Sequence, residues 1–86
     1  MFRNIRELIK VYAISGTEDR IAVQNFMDCE NDDTIRSLRN ELTGISAGNF
    51  PEENLKNLLG EARRSKHGSY VDWAKRVIVW MAEYRR

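Results

Sequence analysis

The chain has 86 residues, 42% hydrophobic and 9% aromatic, and its 31% of charged side chains sum to a net charge of only +1. That length suits one domain, and this balance excludes a disordered chain, which would show lower hydrophobicity and a larger charge imbalance. A single cysteine, Cys29, excludes an internal disulfide, and the longest apolar run, Val77 to Met81, falls far short of the ~20 residues of a membrane-spanning helix.

Five helices are predicted, over about 2–14, 18–30, 33–43, 51–64 and 70–85. The first carries Phe2, Ile5, Leu8, Ile9 and Tyr12 on one face. Its amphipathic pattern starts at once, so no cleaved leader is expected, and a cytoplasmic location is the default expectation. Ser15 and Gly16 end it, the glycine supplying the left-handed residue common just past a helix. Thr17 is the expected N-cap of the second helix, with Glu18 and Asp19 in a first turn whose dipole favours negative charge. That helix presents Ala22, Val23, Phe26 and Met27, then stops in the polar stretch from Asp28 to Asp33. Cys29, within that stretch, reads equally as a partly buried small hydrophobe or as a reactive thiol.

Asp32 or Asp33 is the expected cap of the third helix, whose stripe is Ile35, Leu38 and Leu42, with Ile45 at its margin. Thr43 to Asn49, with Gly44, Ser46 and Gly48, is the clearest predicted loop. Pro51 fits the first turn of the fourth helix, where no backbone donor is required, and Glu52 and Glu53 strengthen that start. The fourth stripe is Leu55, Leu58, Leu59 and Ala62, with Gly60 inside it at a cost of about 1 kcal/mol relative to alanine.

Arg63 to Gly68 reads as a basic connector, and Ser69 with Asp72 has the form of a capping box. The fifth helix has the strongest signal. Tyr70, Trp73, Ala74, Val77, Trp80, Met81 and Tyr84 form an unbroken stripe that Val71, Ile78 and Ala82 widen. A helix apolar over so wide an arc belongs at the centre, with Trp80 and Trp73 as core residues and only Tyr84 placed for exposure. The expected fold is all-α: one domain, a compact orthogonal bundle of five helices, or six if the 44–50 loop holds a short turn.

Candidate chemistry is sparse. His67, the one histidine, sits in the connector, where an exposed loop residue is expected, and no spacing brings Cys29 or a serine to it as a nucleophile. Asp28, Glu30, Asp32 and Asp33 resemble the opening of a calcium loop, but its sixth position is Asp33 rather than glycine and its twelfth is Arg39 rather than glutamate. A helix-turn-helix using Arg36, Arg39 and Asn40 would carry those same acids past the phosphates. No catalytic residue, metal, cofactor, small-molecule substrate or membrane contact is therefore expected.

The sign of the charge, by contrast, is segregated. Residues 1–43 hold six Lys and Arg against eight Asp and Glu, whereas residues 44–86 hold eight against five. Asp28, Glu30, Asp32 and Asp33 make an acidic patch, which Glu18 and Asp19 can extend, and Arg63, Arg64, Lys66, Lys75 and Arg76 a basic one beside His67. Opposed patches on one small bundle can bind a charged partner or meet head to tail between copies. In length and helix count the chain resembles the helical interaction domains of the death-fold class, which assemble in that way. The likeness is one of architecture and no motif carries it. The expected function is a non-catalytic protein–protein interaction module: an adaptor, an assembly domain or a small inhibitor. The alternative is a nucleic-acid-associated protein whose 63–76 basic face contacts phosphates without reading sequence.

Overall fold

The computed structural model describes residues 2–14 and 16–84, and the apolar stripes of the sequence organise it. Helix α1 spans Arg3–Glu7 and continues as a π-helical turn over Leu8–Tyr12, in which the Ala13 N–H donates to the Leu8 carbonyl, five residues back, at 2.9 Å. Then follow α2 (Asp19–Cys29), α3 (Asp32–Ser46), α4 (Glu52–Leu59), α5 (Glu61–His67) and α6 (Tyr70–Tyr84). Among the described residues there are six helices and no strand, so the fold is all-α. A radius of gyration of 11.7 Å matches the ~12 Å expected of one domain this long. No helix is long and apolar enough to cross a membrane among the described residues.

Helix α6 is the hub and packs on α2, α3 and α5, while α1 and its π-turn close over α3 and α2. The core holds the residues the helical period selects: Ile5, Leu8, Ala22, Val23, Phe26, Leu38, Leu42, Leu55, Trp73, Ala74 and Val77 are all buried. Tyr12 meets Phe26 edge to face, with ring centroids 5.3 Å apart. Trp73, fully enclosed, is the anchor of α6. Trp80, expected beside it, is only partly buried and packs edge to face on His67 at 6.3 Å. Ala62, expected in the fourth stripe, and Ala82, expected to widen the last, are both exposed.

The helix ends depart from the sequence reading in instructive ways. Helix α2 begins at Asp19 after Glu18, not Thr17, and has no side-chain cap. Helix α3 is capped by Asn31, whose Oδ1 accepts the Thr34 N–H at 2.8 Å, which leaves Asp32 and Asp33 in the first turn. The helix also runs three residues past its expected end. Thr43 Oγ1 donates to the Arg39 carbonyl and Ser46 Oγ to the Thr43 carbonyl, so these hydroxyls bond back along the helix instead of opening a loop. The terminator is Gly48: left-handed at φ 85°, it donates to Ile45, while Asn49 donates to Gly44, the paired bonds of a Schellman motif. Pro51 is the N-cap of α4 rather than its first helical residue. At the last helix, Ser69 Oγ accepts the Asp72 N–H at 3.1 Å, as the capping-box pattern anticipates.

The sixth helix arises at Gly60, not in the 44–50 segment. With φ 86° and ψ 162°, Gly60 occupies a backbone region that is essentially closed to other residues, and it breaks the expected 51–64 helix into α4 and α5. The expected connector from Arg63 is consequently helical as far as His67. The Gly60 carbonyl, freed by the break, accepts the Tyr70 hydroxyl at 3.1 Å and ties the bend to α6.

A single carboxylate anchors α1. The Asn4 and Ile5 N–H groups donate to Glu41 of α3 at 3.0–3.2 Å, and the Asn4 side-chain amide adds a bond of 2.6 Å. Glu41 thus caps a helix 36 residues away in sequence, where the dipole favours negative charge.

Candidate functional site

The basic and acidic residues singled out by the sequence differ in what the fold asks of them. Among the basic ones, Arg63 is internal. Its guanidinium grips Asp19 with two parallel bonds, Nε to Oδ2 at 2.8 Å and Nη2 to Oδ1 at 2.9 Å, and its Nη1 donates to the Leu59 carbonyl. The Trp73 indole N–H donates to the same Asp19 Oδ2 at 2.9 Å. The side chains of Arg63 and Asp19 are only 24% and 14% exposed, so this cluster ties α2 to α5 and α6 rather than facing a partner. Burial alone would push the Asp19 carboxyl up, but the bonds from Arg63 and Trp73 outweigh it and hold the group below the ordinary carboxylate range. Sequence reading placed Asp19 in a first turn and as an optional addition to the acidic patch, whereas the structure turns it inward to Arg63, a partner 44 residues away that nothing local signals.

Arg64 stays on the surface, 3.9 Å from Glu52 in a loose pair. Lys66, Lys75 and Arg76 come together. With His67, Asp72 and Val79 they line an open groove of about 470 Å³ between the end of α5 and the first turns of α6. Lys66, Lys75 and Arg76 make no ion pair among the described residues, and the groove holds one carboxylate, Asp72, against three cations. His67 is not the exposed loop residue expected: it ends α5, half-buried against Trp80. Burial lowers its pKa; Asp19 pulls the other way, and the neighbouring cations Lys66, Arg76 and Arg63 lower it further. The shift favours the uncharged ring, so the positive charge of the groove rests on its lysines and arginine.

The acidic residues, in contrast, have donors. Asp28 accepts the Tyr84 hydroxyl at 2.8 Å, a bond from the end of α6 to the end of α2. Glu30 accepts the Tyr12 hydroxyl at 2.5 Å and so fastens the π-turn to the same junction. Both phenols are pushed above their ordinary range, chiefly because their hydrogen bonds go to carboxylates. Asp33 lies 3.7 Å from Arg36, while Asp32 edges a groove floored by Met27, Ile35 and Met81. Between Asp28 and Glu30, Cys29 is exposed and not the partly buried residue that was one of its two readings.

No group of three or more His, Cys, Asp or Glu side chains is placed to hold a metal among the described residues. The ring neighbour of His67 is Trp80. No protein family model, curated protein or solved structure matches the chain.

Proposed function

We propose that the protein is a non-catalytic interaction module that binds an acidic protein surface through the groove of Lys66, His67, Lys75 and Arg76. One observation supports this reading above the rest: three cations converge on one concavity and none is ion-paired with another described residue. Like charges held together on a surface repel, and an acidic partner relieves that repulsion while steering encounter. Val79, 45% exposed at the groove, adds an apolar contact of the kind protein partners use. A second copy is one such partner, its Asp28–Asp33 junction meeting the basic groove head to tail.

The same cations would attract phosphates, which sustains the nucleic-acid reading. Asp72 within the groove and apolar Val79 beside it suit a mixed protein surface better than a uniformly anionic backbone. The test places a photoreactive benzoylphenylalanine at Val79 and irradiates the protein in extract of its own host. Discrete protein adducts that disappear in the Lys75→Glu/Arg76→Glu variant support the reading, and an adduct of twice the chain's own mass identifies the partner as a second copy. Nucleic-acid adducts, or protein adducts indifferent to charge reversal, refute it. In parallel, duplex DNA should bind the purified protein no tighter than the non-specific range of about 10⁻⁴–10⁻⁶ M at physiological salt.

A further inference from the structure

A second concavity, independent of the first, lies between α1 and α4. It encloses about 480 Å³ and is lined by Phe2, Arg6, Lys10, Asn54, Asn57 and Leu58. We infer that this groove is a binding site for an extended, acidic peptide segment.

The lining is sorted by chemistry. Arg6 of α1 and Lys10 of the π-helical turn that continues it stand four residues apart, a spacing at which like charges disfavour the helix that carries them. Neither is ion-paired among the described residues, and no carboxylate lines the groove. Of the acids nearby in sequence, Glu7 lines a different depression with Arg3 and Glu30, Glu52 lies 3.9 Å from Arg64, and exposed Glu53 is not among the lining residues. Opposite the cations, α4 offers Asn54 and Asn57, exposed carboxamides with no hydrogen bond to another described residue. Each carries an acceptor and donors on one plane, the pattern that pairs with a peptide N–H and C=O. Phe2 and Leu58 form an apolar floor between them.

The backbone of this wall is itself unusual. Phe2 is the one non-glycine residue with positive φ among those described, and Lys10 lies in the π-helical turn. Departures of both kinds recur at functional sites. Two cations and two carboxamides without a partner among the described residues therefore coincide with a strained wall at one groove.

The shape selects among anions. Phe2 is only 9% exposed, so its ring is no stacking platform, and a nucleobase would find no aromatic face here. A peptide needs none. Its carboxylates reach Arg6 and Lys10, its backbone pairs with Asn54 and Asn57, and one small apolar side chain covers Leu58.

The probes are a capped peptide of alternating glutamate and leucine, its glutamine counterpart, and adenosine monophosphate. Each is titrated into ¹⁵N-labelled protein while the side-chain resonances of Arg6, Asn54 and Asn57 are followed. The glutamate peptide should shift all three, with the glutamine peptide about tenfold weaker. Arg6→Gln/Lys10→Gln should weaken the glutamate peptide by a similar factor, and Asn54→Ala/Asn57→Ala should weaken both peptides. The four substituted positions are exposed, so the folded spectrum should otherwise be retained. Equal binding of the neutral peptide, preferential binding of the nucleotide, or shifts confined to the Lys75 and Arg76 groove would each overturn the inference, as would the absence of any shift. Because the two grooves share no residue, this result stands apart from the cross-linking at Val79.

Discussion

Replacing Asp19 with asparagine should cost more stability than any other single loss of charge in the chain. The variant keeps the side chain's shape but leaves the Arg63 guanidinium without a counter-ion and presents an amide group where three donors now point. Breaking a fully buried ion pair costs about 3–5 kcal/mol, and the residual solvent access of Arg63, 24%, reduces that to about 2–4 kcal/mol. A domain of this length has about 4–13 kcal/mol in total, so the melting temperature should fall by roughly 10–25 °C. The assay is urea and thermal unfolding followed by circular dichroism and by the fluorescence of Trp73, whose indole is bonded to the same carboxylate.

The pH dependence fixes the sign. The folded pKa of Asp19 is depressed, so its stabilising contribution is fully present above the unfolded value of about 3.9 and is lost as pH falls through the lower folded value. The gap between wild type and Asp19→Asn should accordingly be widest at neutral pH and close in acid. In a double-mutant cycle with Arg63→Met, the coupling should reach the upper part of the 0.5–3 kcal/mol range typical of contacting pairs. A neutral-pH melting temperature within two or three degrees of wild type would refute the reasoning.

The two tryptophans should separate on truncation: Trp73→Ala should cost about 3–5 kcal/mol and Trp80→Ala less than half of that, measured by chemical denaturation. Glu41→Ala should cost about 1–2 kcal/mol and accelerate hydrogen exchange at the Asn4 and Ile5 amides selectively, with Glu41→Gln in between because it keeps an acceptor. Gly60→Ala should cost about 1–3 kcal/mol although a Cβ there meets nothing within 4 Å, because the penalty lies wholly in the backbone. Gly44→Ala, at a helical position with room for a methyl, should instead be neutral or stabilise by up to about 1 kcal/mol.

Those predictions also mark what a sequence shows and what it hides. The buried faces of α2, α3 and α6 were legible because burial follows the 3.6-residue period, and Ala22, Val23, Phe26, Leu38, Leu42, Trp73 and Val77 all fall on it. Periodicity ranks poorly within a wide arc, so it did not tell enclosed Trp73 from half-covered Trp80. Two glycines misled in opposite directions. Gly44 looked like a breaker but is helical, because Thr43 and Ser46 bond back along the chain; Gly60 looked tolerable within a helix but is the breaker. The Arg63–Asp19 and Glu41–Asn4 bonds span 44 and 37 residues, and no local pattern encodes contacts of that range. The sequence reading therefore treated Arg63 as a surface residue on equal terms with Lys66, Lys75 and Arg76. The first groove was half-legible as a basic run, whereas the second unites residues about 50 apart, neither group of which attracts notice alone.

The division of labour between acids and bases bears directly on which surface binds. Asp19, Asp28, Glu30 and Glu41 each accept hydrogen bonds that fasten one helix to another. For the junction acids to engage a partner, Asp28 would have to share or release Tyr84, and Glu30 would have to do the same with Tyr12. Each exchange forfeits a charge-assisted bond already made, so the net gain on association is small. Lys66, Lys75, Arg76, Arg6 and Lys10 have no such bond to another described residue, and they meet a carboxylate at the cost of side-chain ordering and desolvation. The total charge of +1 conceals this asymmetry, since four of the acids bond from one helix to another while these five cations are exposed and make no ion pair among the described residues. A partner that exploits the difference is acidic. Head-to-tail pairing of two copies is the harder case, because it would require the hydrogen-bonded Asp28 and Glu30 of one copy to loosen their own fastenings.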